Sequence, residues 1–241
     1  MMEAPVALVT AASRGMGAAI AREFANRGYH LVMMSRSDDV LQLADDLEAS
    51  TPSPGVIGLT GSVTKTEDLE RLVTSAVDHF GSIDAVVNNT GHAPKGELLT
   101  IPDDDWHDGL DLLLLNVIRL ARLVTPIMER QGGGAFVNIS TFAAFEPSLD
   151  FPVSSALRAA LGSFAKMYAD RYGVAGIRMN NVLPGYIETY ETHDALREAI
   201  PLKRQGTVGE IAGTVAFLLS DAANYITGQN IYVDGGLTRS V

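Results

Sequence analysis

Residues 5–17 read PVALVTAASRGMG. A short apolar run passes straight into a glycine-bearing turn, and a helical pattern, AAIAREFANRG, follows. A strand, a turn and a helix in that order leave backbone N–H groups free at a helix N-terminus, where a phosphate can sit. Gly15 and Gly17 let the backbone come close to that phosphate, because a side chain there would hold it off. The stretch therefore predicts a dinucleotide site.

The rest of the chain repeats the theme. Val6–Val9, Leu31–Met34, Val56–Leu59, Ala85–Val87, Ala135–Ile139, Arg178–Val182 and Asn230–Val233 are short and mostly apolar. Helical patterns lie between them, near 15–27, 38–49, 66–79, 103–130, 154–172 and 208–220. This alternation predicts a Rossmann-like α/β fold: one domain over 1–241, a doubly wound parallel sheet, helices on both faces. Near-continuous apolar strands suit a sheet covered on both sides. Asp103–Asp105 reads as the charged start of a helix rather than a metal site. The run Leu112–Leu115 has two readings, a helix buried in the core or one partly buried against a second subunit.

Composition bounds the function. The chain has 241 residues, 46% of them hydrophobic, and no run near the ~18 apolar residues of a membrane span. The opening Met-Met-Glu-Ala-Pro has no basic n-region, so a cytoplasmic protein is expected. Cysteine is absent, which removes disulfides, thiolate metal sites and cysteine nucleophiles. A formal charge of −11 argues against nucleic-acid or anionic-membrane partners and leaves a small-molecule substrate.

Five segments in order resemble the classical short-chain dehydrogenase/reductase family, and its 3-oxoacyl-carrier-protein reductases in particular. TAASRGMG (10–17) resembles the TGxxxGxG fingerprint, NNTG (88–91) the NNAG, and NIST (138–141) the segment bearing the catalytic serine. NVLPGYIET (181–189) and the C-terminal block 201–236 complete the resemblance, which spans essentially the whole chain. It implies that Ala11, Ser13, Arg14, Gly15, Met16, Gly17, Ser62, Val63, Asn89, Gly91, Pro184, Gly185, Ile187 and Thr189 surround a nicotinamide cofactor. Ala11 stands where the family has its first Gly, which is tolerable if the backbone there keeps a negative φ. Ser62 stands where the family has Asp against the adenine.

The end of the second strand bears on which cofactor. NAD-selective folds place an acid there for the ribose 2′-OH. Here it reads Met34-Ser35-Arg36, with no acid until Asp38. Ser35 leaves room for a 2′-phosphate, and Arg36 and Arg14 offer charge-assisted contacts. NADP(H) is expected over NAD(H).

The resemblance also implies a catalytic set of Asn, Ser and Tyr-x-x-x-Lys. Asn116 matches the Asn, and Thr141 stands at the Ser. The Tyr position, thirteen residues on, is Ser154, and the Lys position is Arg158. The Tyr-x6-Lys register of divergent enoyl reductases gives Phe151 and Arg158, again without a hydroxyl. An aliphatic hydroxyl is a far weaker acid than a tyrosine, and an arginine cannot relay a proton. Arg158 can still hold ribose hydroxyls. General acid–base catalysis is worth about 10²–10⁴-fold, so the deficit is large. Replacement groups near the pocket are His92, a residue type suited to general acid–base work, Tyr186, Asp150 and Glu146. The substrate loop from Thr189 to Pro201, with His193, is short and polar.

Three functions fit these residues: an NADP(H)-dependent oxidoreductase with an atypical proton donor, a non-redox dehydratase or isomerase, and a catalytically silent cofactor-binding sensor or partner subunit. The Leu-rich helix and the C-terminal block also predict a homo-oligomer, a tetramer or a dimer.

Overall fold

A computed structural model describes residues 4–191 and 194–239. The strands are β1 (Val6–Thr10), β2 (His30–Ser35), β3 (Val56–Thr60), β4 (Ala85–Asn88), β5 (Gly134–Ile139), β6 (Ile177–Pro184) and β7 (Asn230–Val233). The helices are α1 (Gly15–Asn26), α2 (Asp39–Ser50), α3 (Thr66–Phe80), α4 (Asp103–Leu110), α5 (Asn116–Gln131), α6 (Pro152–Tyr172), α7 (Asp194–Ala199) and α8 (Val208–Leu219). The strands pair in parallel in the order β3-β2-β1-β4-β5-β6-β7. This is the doubly wound α/β sheet that the alternation predicts.

Strand alternation divides the core. Ala7, Val9, Leu31 and Met33 face α1, α2 and α8, while Val6, Leu8, Val32 and Met34 face α3, α5 and α6. Burial on both faces explains why these strands lack a polar side. Strand order reverses between β1 and β4, so the turns after those strands part and leave a crevice at their carboxyl ends.

Two expectations change. The single helix expected over 103–130 is interrupted: α4 ends at Leu110, Asp111–Leu115 forms a π-helical turn, and α5 starts at Asn116. The wider turn inserts a residue, so the apolar faces on its two sides no longer share one register. Arg119 secures it, reaching the Asp111 carboxylate at 2.6 Å. Leu113 is buried, and Leu112 and Leu114 pack from partly exposed positions against the core on the α3, α5 and α6 side. The stretch expected to be loop from 189 to 201 contains α7, and His193 lies outside the described residues. Asp103–Asp105 do open a helix. Among the described residues no helix is long and apolar enough to cross a membrane.

Candidate active site

The crevice is a cavity of about 1070 Å³. Ala11, Ser13–Met16, Ser35, Arg36, Ser62, Val63, Asn89, Gly91 and Thr189 line it, as the sequence predicts. Helix α1 opens with no acid in its first turn, and Arg14 makes no side-chain capping bond, so its first N–H groups are available to an anion. The Ser13 and Ser35 hydroxyls lie 2.9 Å apart and join the glycine turn to the end of β2. Arg36 is exposed on the cavity wall, with Nη2 3.6 Å from where a Cβ on Gly91 would stand. Three acids line the crevice, Asp39, Asp108 and Asp111; Asp39, the one that follows β2, accepts the Ser37 hydroxyl at 2.7 Å. Asp38 instead accepts the Thr60 hydroxyl at 2.7 Å.

Position 11 corrects the sequence reading. Ala11 has φ +48°, in the left-handed region that costs a β-carbon energy. Its neighbours impose the turn. The Thr10 hydroxyl donates to the Asn89 carbonyl at 2.7 Å and accepts the Asn89 amide at 2.9 Å. The Asn89 side chain then donates to the Ala11 carbonyl at 3.2 Å. Gly17 closes the same knot and is not on the cavity wall: a Cβ there would stand 2.2 Å from the Ala11 carbonyl oxygen. It allows the close packing of α1 on the turn. Ser62 is on the wall, and its amide is held by Asp68 of α3 at 2.8 Å.

A smaller pocket of about 160 Å³ continues from the crevice. The two share Met16, Asn89–Pro94 and Thr189. Thr141, Ser154, Arg158, Pro184, Gly185, Tyr186 and Ile187 line the smaller one, so the segments after β5 and β6 and the start of α6 meet there as expected. Ser154 and Arg158, four residues apart on α6, share one helix face. Thr141 Oγ1 accepts the Ala143 amide at 3.3 Å, which leaves its O–H free to point elsewhere. Gly185 must be small, since a Cβ would stand 2.7 Å from the Asp234 Cα. Burial, then the Tyr190 and Asp150 charges, push the Tyr186 phenol above its ordinary pKa.

Three further expected residues, besides Gly17, stay off these walls. Asn116 is 3% exposed behind them, and its Oδ1 has no hydrogen-bond partner among the described residues. It lines neither cavity, and it opens α5 directly after the π-helical turn. Asp150 is exposed on the loop before α6. Glu146 accepts the Arg239 amide on the outer side. Neither carboxylate lines the small pocket. His92 does, exposed at its mouth. Sequence reasoning missed Thr90, whose buried hydroxyl lacks a partner among the described residues, and missed Lys95, Phe142, Phe151 and Tyr190 on the pocket wall. The Thr in NNTG was a visible signal; the aromatic residues come from separate loops and gave none.

The turn after β1, the reversal of strand order and the residues gathered at the strand ends fit a nicotinamide dinucleotide, and relatives agree. A family profile described as enoyl-(acyl carrier protein) reductase matches residues 10–238. The chain belongs to the short-chain dehydrogenase/reductase family. It is 36% identical to human dehydrogenase/reductase SDR family member 4, over 96% of this chain and 86% of that one. It is 34% identical to the 3-oxoacyl-[acyl-carrier-protein] reductase FabG of Staphylococcus epidermidis, over 96% and 98%. The L-sorbose reductase of Gluconobacter frateurii, solved with NADPH and L-sorbose, superposes with a TM-score of 0.90 at 29% identity, over 99% and 98%. YwfH, an NADPH-dependent reductase of bacilysin biosynthesis, superposes with a TM-score of 0.93 at 26% identity, over 99% and 100%. Short-chain dehydrogenase/reductase proteins bind nicotinamide cofactors, and this chain has the crevice for one.

Proposed function

We propose that this protein is an NADP(H)-dependent oxidoreductase that interconverts a carbonyl and an alcohol on a small molecule without the family's tyrosine acid. The observation that carries this reading is the shared wall of the two cavities. It makes the dinucleotide crevice run directly into a small pocket bearing the Thr141 and Ser154 hydroxyls. When bound, the cofactor supplies or accepts hydride. Thr141 and Ser154 orient the substrate oxygen. Arg158 keeps positive charge where the family has Lys, but it does not relay protons. The raised pKa of Tyr186 makes it a weaker acid than an ordinary tyrosine, so it does not replace the missing group. His92 lines both cavities and belongs to the residue type that exchanges protons near neutrality. We assign it the proton.

Ser35, Arg36 and Arg14 support NADP(H) over NAD(H): they offer hydrogen-bond donors and positive charge to a 2′-phosphate. Two calorimetric titrations of the wild-type chain, one with NADPH and one with NADH, test the cofactor reading. Tighter NADPH is expected, and equal affinities overturn the preference. Turnover on a ketone and aldehyde panel, compared with His92→Ala, tests the chemistry. NADPH binding without turnover on any carbonyl would favour the silent cofactor-binding reading. We further propose a homo-oligomer. The edge strand β7 is only half-buried, and Met167 and Phe217 expose apolar surface on α6 and α8. Light scattering reads its size, and a monomer at micromolar concentration refutes it.

A further inference from the structure

Two arginines are buried to the same degree, each 8% exposed, and their surroundings differ. Arg178 Nη1 donates to the carbonyls of Leu218 at 2.7 Å and Ile226 at 3.3 Å, and Nη2 to that of Ser220 at 3.3 Å. The Asp221 charge also supports it. It is a structural cation, held by three backbone carbonyls. Arg158 donates Nη1 to the Ile139 carbonyl at the end of β5. Among the described residues no carboxylate pairs with it. Burial lowers its pKa to about 10, which leaves it cationic at neutral pH. A guanidinium has five N–H donors, and this one forms part of the small pocket's wall.

The pocket complements that charge. Among the described residues no Asp or Glu side chain lines it, in a chain with 29 acids and 18 bases. Asp150 and Glu146 lie on nearby loops but off the wall. Lys95 adds a second cation at the mouth, with Nζ 4.7 Å from the Phe151 ring centroid and 5.6 Å from that of Tyr190. Phe142, Tyr186, Tyr190 and Phe151 form a continuous aromatic run, with successive centroids 5.5, 5.7 and 6.3 Å apart. A buried charge without a counter-ion is costly, and a ligand anion relieves the cost.

We propose that the small pocket recognises a small monocarboxylate with a flat apolar body, and that Arg158 receives its carboxylate. The aromatic run packs on the body, and the Arg158 fork matches the planar carboxylate as a charge-assisted pair. In the oxidoreductase reading, on which the assignment as substrate rests, this makes the substrate an oxo- or hydroxy-acid. Recognition of the anion does not require that reading.

Benzoate and its neutral counterpart benzamide are the probes. Each is titrated calorimetrically into the wild-type chain saturated with NADPH and into the free chain. Benzoate is expected to bind at least tenfold tighter than benzamide. Arg158→Met is expected to reduce that preference below threefold. The wild-type Arg158 Nε–H resonance is expected to shift with benzoate and not with benzamide, which keeps the test independent of how the variant folds. Equal binding of the two probes, binding of neither, or a preference that survives Arg158→Met overturns the proposal. An Arg158 resonance that moves only with NADPH assigns the guanidinium to the ribose and also overturns it. NADPH binding is read separately. A chain that binds NADPH but treats the probes alike refutes this pocket assignment alone, and one that prefers benzoate but ignores NADPH refutes the oxidoreductase reading alone.

Discussion

Asn138 donates its side-chain amide to the Asn181 side-chain oxygen at 2.8 Å, across the parallel pair β5 and β6. Asn88 donates to Asn138 in the same way, and Asn181 to Asn230, each at 2.8 Å. Four asparagines at one level of the sheet thus join β4, β5, β6 and β7 just below the site. Asn138 is fully buried, and both ends of its amide are used. Asn138→Leu strands a donor on Asn88 and an acceptor on Asn181, at about 1–3 kcal/mol for each. We expect a loss of roughly 2–6 kcal/mol in all, read by urea denaturation.

Ala11 holds a left-handed backbone, which costs about 1–2 kcal/mol for a residue with a β-carbon. Glycine removes that strain but gives back roughly 0.5–1 kcal/mol in unfolded-state freedom. Ala11→Gly should therefore stabilise the fold by up to about 1 kcal/mol, or about 2–4 °C in Tm for a domain of this size. An unchanged or lower Tm by calorimetry contradicts the strain argument.

Arg36 is exposed beside Gly91 on the crevice wall. If it contacts the 2′-phosphate, Arg36→Ala loses about 1.5–3 kcal/mol of NADPH binding, the range for hydrogen bonds to charged groups. That is roughly 10–150-fold in Kd. NADH affinity should be unaffected, and paired titrations read both.

Ser154 and Arg158 share a face of α6 and open on the same pocket. Ser154→Tyr together with Arg158→Lys should raise carbonyl reduction at least about tenfold, within the 10²–10⁴ range of general acid catalysis. Each single change should do less than its share, because the lysine acts by tuning the phenol. The singles and the double are assayed with NADPH on one carbonyl panel. Robust wild-type turnover that the double change abolishes would instead show that this chain has its own proton donor.

Glu210 caps α8 by accepting the Thr207 amide at 2.8 Å, and it pairs with Arg204 at 2.7 Å. The Arg204 hydrogen bond, then the Thr207 amide, lower its pKa from 4.5 to about 2. A lowered carboxylate pKa contributes stability that is present above 4.5 and lost as pH falls through about 2. Glu210→Gln should flatten this part of the acid limb of the stability curve. An NMR titration of the Glu210 carboxyl with an ordinary midpoint would refute the assignment.

The sequence by itself determined the α/β alternation, the order of glycine turn and helix, the serine and arginine at the end of β2, and the face shared by Ser154 and Arg158. These are short-range properties: hydrophobic period, turn chemistry and helix geometry act within a few residues. The tertiary structure decided the rest. Ala11 has positive φ because Asn89, far along the chain, holds its carbonyl. Asn116 is buried off the pocket wall next to a π-helical turn, and Glu146 and Asp150 lie off that wall as well. The asparagine ladder exists only once four strands share a register. Arg158 is written in the chain, but its lack of a carboxylate partner depends on what every neighbouring element brings near it, and packing alone fixes that.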